Sequence, residues 1–573
     1  MSVITDRKRA FLILLAAFVV LALPAIGVAC GGEATSTLRP TIAPTAAPAP
    51  TAAPAPTATT AAAATSVPSG PTSTPRAVVV PTALPTPTAI PEPAGLKRGG
   101  SLRVVMGVDY NTFDPPLLLG MPDVIITQHT NDNLLLRQND LALKPLLAES
   151  WETNDDLTQY TFKLREGVKF SHGKEFTAED VVYSFKRLLD PDVGSPARST
   201  VGIITDVVAV NDHTVRFDLD ATNAFLPDTM SIYQARITPS DIDAKRLVGE
   251  TFGTGPFVLT EHVPGERSVL ERNPDYWEKG TPYLDELVFL YMPEPETKAE
   301  ALKTGAVDAY FRTDTQSVSS LEAHPETRVS ETASASYLNL TMDMRVAPWD
   351  NKLVRQAMQA ATDRQAIRQA ALFGKGAIAR DHPIPPNDPH FAADVEVPPY
   401  DPVRAKELLA EAGYPDGLEV TLFTAAVAGA SMVEMAVALK ESATPAGFEI
   451  NIERMPEDQY WASVWMTEPF TTVYWNGRTP NLALSIVYLS DAEWNESRYY
   501  NPIIDDLITK ARSQTDQEAR KQTYAEVQRI LIDDVPRIIP VFQPYFVSMR
   551  NNVRGLEAHP NGWLILNSTW IDN

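Results

Sequence analysis

The chain has 573 residues, with 49 lysines and arginines against 72 aspartates and glutamates, 48 prolines and one cysteine. One cysteine excludes an intrachain disulfide and any cysteine-based zinc site, and the net charge of −23 argues against nucleic acid and against adsorption on anionic lipid through a basic face. At about 150 residues per domain the length allows three or four domains, less any tail.

Arg7, Lys8 and Arg9 form a basic start, and the apolar run Phe11–Ala29 comes next, ending at Cys30, Gly31 and Gly32. This is the layout of a secretory signal. An uncleaved membrane helix is the alternative, since 19 apolar residues just suffice to span, although Pro24 and Gly27 interrupt them. Residues 31–94 then hold 17 alanines, 14 threonines and 14 prolines, with only Glu33, Arg39, Arg76 and Glu92 charged. Such a tract cannot bury enough apolar surface to fold, and its Ala-Pro and Thr-Pro steps favour an extended spacer with an upper reach of about 200 Å. The acidity belongs to the rest of the chain: from Gly95 onward there are 44 basic and 69 acidic residues.

The body reads as mixed α/β. Tyr160, Phe162 and Leu164 alternate as a strand, and a turn at Glu166-Gly167 leads to a second at Val168 and Phe170. Thr177 caps a helix that places Val181, Val182, Phe185, Leu188 and Leu189 on one face and stops at Pro191. Val215, Phe217 and Leu219 form a strand. GTGPF at 253–257 is a poor phosphate loop, because Pro256 comes at once and Phe257–Leu259 continues as a strand. Thr362 and Gln365 have capping-box spacing. His382 and His390, near Asp381 and Asp388, fall in a proline-rich loop that reads as solvated rather than metal-binding. Asp401, Pro402 and Gly413 punctuate a helix as cap, first residue and left-handed stop. The alternating strands around Leu418–Leu422 and Phe448–Ile452 flank a helix and predict a parallel βαβ unit. From Tyr460 to Tyr500 aromatic residues are dense, and Trp475 is expected on an irregular loop after a short strand at 471–474. A last helix carries Tyr524, Val527, Ile530 and Leu531 inward.

The catalytic motifs of hydrolases, zinc proteases and nucleotide-binding loops are missing from the sequence, so neither enzyme chemistry nor a cofactor or metal is expected from it. A surface hydrolase or a ligand sensor is the alternative of another class.

Five segments carry a family likeness. LREGVKFSHGKEFTAEDVVYSFKRLLDP (164–191) and GTGPFVLTEHVPGERSVLERNPDYW (253–277) resemble two signatures of the extracellular solute-binding proteins of peptide and nickel ABC importers. LVRQAMQAATDRQAI, DPVRAKELLAEAGYP and IPVFQPYFVSMRNNVRG complete the set in the same order. Val28, Ala29 and Cys30 are similar to the end of a lipoprotein signal, with Gly27 a departure, and would make Cys30 the lipid attachment site. The resemblance implies a bilobal α/β fold of the periplasmic-binding-protein type with an extra domain in the N-terminal lobe. Residues 1–30 would be the signal, 31–94 the linker, 95–128 with 248–345 and 542–573 the first lobe, 129–247 the extra subdomain and 346–541 the second lobe. It further implies a monomeric, membrane-anchored, extracytoplasmic receptor that captures a peptide or peptide-like solute in a hinged cleft and delivers it to an ABC permease.

Peptide-binding members of this family line the cleft with a Trp-x-x-Asp segment whose aspartate pairs with the peptide's ammonium group. The matching residues here are Trp475, Asn476, Gly477 and Arg478, so the carboxylate has become a guanidinium. Arginine cannot accept a hydrogen bond and repels an amino terminus. It suits a carboxylate, a phosphate or a hydroxyl, which opens a second reading, a non-peptide anionic or polyhydroxylated solute. A structural pair with Asp491 or Glu493 is the bland alternative. Phe542, Tyr545 and Asp114 are further cleft candidates, with Asp109 and Thr112 beside the last.

Overall fold

The computed structural model describes residues 95–427 and 431–572. The leader, Cys30 and the alanine-, threonine- and proline-rich tract lie outside the described residues.

An 11-stranded mixed sheet is the frame. One half is ordered Phe448–Met455, Leu418–Ala425, Phe470–Trp475, and the other Ala309–Phe311, Ser101–Met106, Glu286–Tyr291, Arg267–Arg272, Phe257–Val263. Two long antiparallel strands, Thr327–Met342 and Arg537–Arg550, run between the halves and belong to both. Where Thr327–Met342 leaves the first half its residues are partly exposed, and from Ser336 onward every residue is buried.

The register of the two long strands breaks twice, between Thr332 and Ser336 and between Leu338 and Leu340. Both breaks fall opposite prolines. Pro544 lies between the partners Tyr545 and Gln543, and Pro540 lies between Val541 and Ile538. A proline has no N–H to give a ladder, so a central strand tolerates it where pairing is already interrupted. At the first break Ser334 makes good the loss: its Oγ donates to the Gln543 carbonyl (2.6 Å) and accepts from the Ser336 N–H (2.9 Å). The crossing between the halves is thus an irregular but hydrogen-bonded segment.

Cores lie on both faces of each half. Leu102, Val104, Phe257, Leu287 and Phe289 form one in the first half, and Val105, Leu302, Tyr310 and Leu321 the other. Leu340, Leu422, Leu439 and Ile450 pack on one face of the second half, and Tyr337, Val473, Tyr524 and Phe542 on the opposite face. A separate four-stranded antiparallel sheet, with strands 148–153, 159–164, 214–219 and 204–211 in that order, packs with helix Ala178–Leu189 around Phe162, Phe185 and Phe217.

The expected βαβ unit forms, with Leu418 to Ala425 paired in parallel to Phe448 to Met455 around helix Met432–Ala443. Helix Ala178–Leu189 starts after Thr177, and Val181, Phe185 and Leu188 are buried. Three expectations need correction. Val168 and Phe170 are buried, but their segment forms only an isolated bridge, Lys169 with Glu175, flanked by the Phe170–Lys174 and Phe176–Val168 backbone hydrogen bonds, rather than a strand. Asp363, not Thr362, caps helix Arg364–Leu372; Thr362 is buried and donates back to the Met358 carbonyl at 2.7 Å. Trp475 is the last residue of strand Phe470–Trp475 rather than a loop residue.

GTGPF is a packing motif: a Cβ on Gly253 would sit 2.0 Å from the Thr130 carbonyl oxygen, and one on Gly255 2.5 Å from the Thr130 carbonyl carbon. Helix Pro402–Glu411 is capped as expected, with Asp401 accepting from the Val403 and Arg404 N–H groups, and Gly413 at φ +99°. Replacing Asp401 by Ala removes that cap and is expected to cost about 1 kcal/mol of stability, read as a lower denaturation midpoint with unchanged slope.

Candidate functional site

The sheet halves meet at the two long strands they share, the place where the family resemblance puts the ligand cleft. From the second half, Phe470–Trp475 ends at this crossing, with Trp475 paired to Tyr337. The Trp475 ring is 7% exposed and packs on Trp494 at 5.7 Å between centroids. Its Nε1 is buried without a hydrogen-bond partner. Gly477 then lies against the irregular crossing, where a Cβ would come within 3.2 Å of the Ser336 nitrogen. This close approach aims the next residue, Arg478, back over Trp475, with its guanidinium carbon 4.9 Å from the ring centroid and Nη1 donating to the Asn476 carbonyl at 3.1 Å. Asn476 itself is exposed.

Arg478 is half-buried, and among the described residues it has no ion pair. Burial holds its pKa below the usual guanidinium value, and the groups that oppose this are the phenols of Tyr337, Tyr233 and Tyr545, not carboxylates. Neither Asp491 nor Glu493 serves as its partner.

Tyr545 is 9% exposed, follows Pro544 on the other long strand, and carries a second cation: the Arg312 guanidinium carbon lies 4.7 Å from its ring centroid. Arg312 follows strand Ala309–Phe311 and has φ +49°, in the left-handed region, where a non-glycine residue costs about 1–2 kcal/mol. The next residue anchors it, since the Thr313 N–H donates to the Phe546 carbonyl at 2.9 Å. Arg312 is half-buried, and among the described residues its guanidinium makes neither a hydrogen bond nor an ion pair. It faces the opposite half: burial pushes the Tyr474 phenol up, and Arg312 pulls it down.

The other candidates are placed differently. Phe542 is 2% exposed and packs edge-on against Tyr337 within a hydrophobic core cluster, so it is core rather than an open binding surface. Asp114 is 2% exposed and fully engaged by Arg187, whose Nη1 and Nη2 donate to its two oxygens at 2.8 and 2.6 Å; it ties helix Ala178–Leu189 to the first half. Thr112 accepts from the Asp114 N–H, and Asp109 accepts from its neighbour Tyr110 and from Gly265. His390 bonds to Asp388 at 2.9 Å, and His382 is buried with both ring nitrogens unpartnered.

The two sides of the cleft are drawn together. The Ala224 N–H donates to the Arg512 carbonyl at 2.8 Å, and Phe225 enters the cluster of Trp475, Tyr488 and Tyr524 with the Arg520 guanidinium 4.5 Å from its ring centre. Lys375 reaches Glu322 at 3.0 Å and Glu331 at 3.4 Å. The Tyr233 phenol, from the same segment as Phe225, acts electrostatically on Arg478.

The family model described as bacterial extracellular solute-binding proteins, family 5, middle region, matches residues 142–496. The chain belongs to that family. Its members are extracytoplasmic solute-binding proteins of ABC importers, not enzymes, and the bilobal fold is theirs. Heme-binding protein A of Haemophilus influenzae is 30% identical over 79% of this chain and 88% of its own length. Di/tripeptide-binding protein 1 of Pseudomonas aeruginosa is 28% identical over 73% and 84%. The structure of a periplasmic binding protein of Helicobacter pylori, solved with the peptide STSA, superposes with a TM-score of 0.72 at 26% identity, covering 83% of this chain and 99% of that one.

Sequence reasoning missed Arg312, Tyr233 and Phe225, and left Tyr474 within the aromatic-dense stretch 460–500 without singling it out. Nothing local marks Arg312 in AYFRTDT; its left-handed backbone and its place beside Tyr545, over 200 positions away, exist only in the fold.

Proposed function

We propose that this family 5 protein is a receptor for a solute bearing an acidic group, peptide or non-peptide, which it encloses between its lobes and delivers to an ABC permease. Arg478 carries this reading. It stands where peptide-binding relatives are expected to place an aspartate, it is half-buried over Trp475, and among the described residues no carboxylate neutralises it. A free peptide ammonium would meet a like charge there, whereas a carboxylate or phosphate would gain a charge-assisted hydrogen bond.

The assignment of 95–128, 248–345 and 542–573 to the first lobe, 129–247 to its subdomain and 346–541 to the second lobe accompanies this reading. So does the topology at the membrane: Cys30 lipidated, residues 31–94 a spacer, and the monomeric body free to reach the permease. Mass spectrometry of the small molecule retained after gentle extraction tests the solute class. Arg478→Gln should weaken binding of that molecule, measured by calorimetry, by about 10- to 100-fold. A retained solute without an acidic group, or tight binding of short peptides that N-acetylation abolishes, overturns the reading.

A further inference from the structure

The acidic body has many carboxylates available, yet two half-buried guanidiniums, Arg478 and Arg312, have none among the described residues. Arg478 comes from the second lobe and lies over Trp475; Arg312 comes from the first and lies over Tyr545. Each has an aromatic ring beneath it, which holds the planar group without consuming its in-plane donors. For Arg478 one donor goes to the Asn476 carbonyl, and for Arg312 all five remain. Tyr545 is stacked against Arg312, and its phenol also acts electrostatically on Arg478. The left-handed backbone at Arg312 adds to this, because strained residues persist where the surroundings over-determine them, and ligand clamps are a recurrent setting.

Building on the receptor reading, we propose that the solute is a diacid whose two oxyanion groups are taken one by each lobe, Arg312 holding the first and Arg478 the second. Both contacts exist together only when the lobes are closed, so the second acidic group supplies the differential affinity that closure requires. A monoacid satisfies one guanidinium and leaves the other enclosed without a counter-ion.

The test is a thermal-shift and calorimetry series on the full chain with linear α,ω-dicarboxylates from succinate to sebacate, each beside its monoamide. Within one window of chain length the diacid should bind at least tenfold more tightly than its monoamide. Arg312→Gln should abolish that preference, leaving a protein that still folds with unchanged secondary structure. Equal binding of diacids and monoamides, no shift by any member of the series, or a preference that survives Arg312→Gln overturns the proposal. The receptor reading is judged separately by the retained molecule: a single acidic group on it removes the diacid clamp and leaves the receptor standing.

Discussion

Glu496→Gln should destabilise the protein by about 3–5 kcal/mol, the usual cost of leaving a buried charge without its partner. The Glu496 and Arg537 side chains are 1% and 0% exposed, and Nη1 of the arginine lies 3.0 Å from Oε2 of the glutamate. The carboxylate is otherwise well served, accepting from Trp465 Nε1 at 2.6 Å and Thr341 Oγ1 at 3.2 Å. The guanidinium is not: Nε and Nη2 have no hydrogen-bond partner, and the Tyr488 ring, 4.8 Å from its carbon, is its remaining support. Glutamine keeps the shape and the acceptor but removes the charge, and arginine cannot shed its proton to compensate. Arg537→Met alone leaves Glu496 with its two other donors and should cost less than Glu496→Gln. The double variant should recover most of the loss, because two well-packed neutral side chains are often no worse than a buried pair. Chemical denaturation of the four proteins measures this, and an additive double variant would show that the pair does not act as a unit. The pair also bears on the cleft, since Tyr337 lies within reach of both Arg537 and Arg478.

Much of this architecture was legible because its signals are local. Asp401-Pro402 with Gly413 fixes a helix at both ends, and two period-two runs around a helix fix the parallel unit at 418–455. The glycines of GTGPF already looked unlike a phosphate loop, and they prove to be where the backbone of Thr130 and Asn131 passes too close for any side chain. The prolines at 540 and 544 stand in plain view in the sequence, but their meaning depends on which strand lies opposite, and that is a non-local fact. The same limit divides the site. Arg478 could be read from its position in a motif, together with its missing aspartate. Arg312 could not, because what distinguishes it is the absence of a partner, and Asp114 was misleading because its partner, Arg187, lies on a helix 73 positions away. Residue type reveals what a side chain can bind; only the fold reveals what it has already bound.

Asp132 should make stability fall as pH rises from about 4 to 7. Its carboxyl is 4% exposed, and burial pushes its pKa from the ordinary 3.8 to about 7, against the opposing hydrogen bonds from Trp277 Nε1 (2.9 Å) and Thr254 Oγ1 (3.0 Å); Glu278 adds to the rise and Arg236 reduces it. It borders a small, partly open cavity of about 30 Å³, also lined by Gln128, His129 and Arg236, with room for a water molecule and not for a solute. Below pH 4 the group is protonated in folded and unfolded chains and contributes no difference. Between 4 and 7 the unfolded chain ionises while the folded one holds its proton, so the unfolded state gains ground. Above 7 the penalty is complete, and the gap between the two pKa values corresponds to about 4 kcal/mol. Three buried histidines act in the opposite sense: burial lowers His129 to about 4, His382 to about 3 and His559 to about 4, so each destabilises the fold as pH drops below its ordinary value. The wild-type curve alone therefore mixes the two effects, and the informative quantity is the difference from Asp132→Asn, which keeps an acceptor for Trp277 or Thr254 and cannot ionise. Relative to wild type, that variant should gain stability steadily from pH 4 to 7 and hold a constant advantage above. A difference that is flat across this range would mean that Asp132 is ionised in the folded protein, with Arg236 as its counter-ion through the cavity.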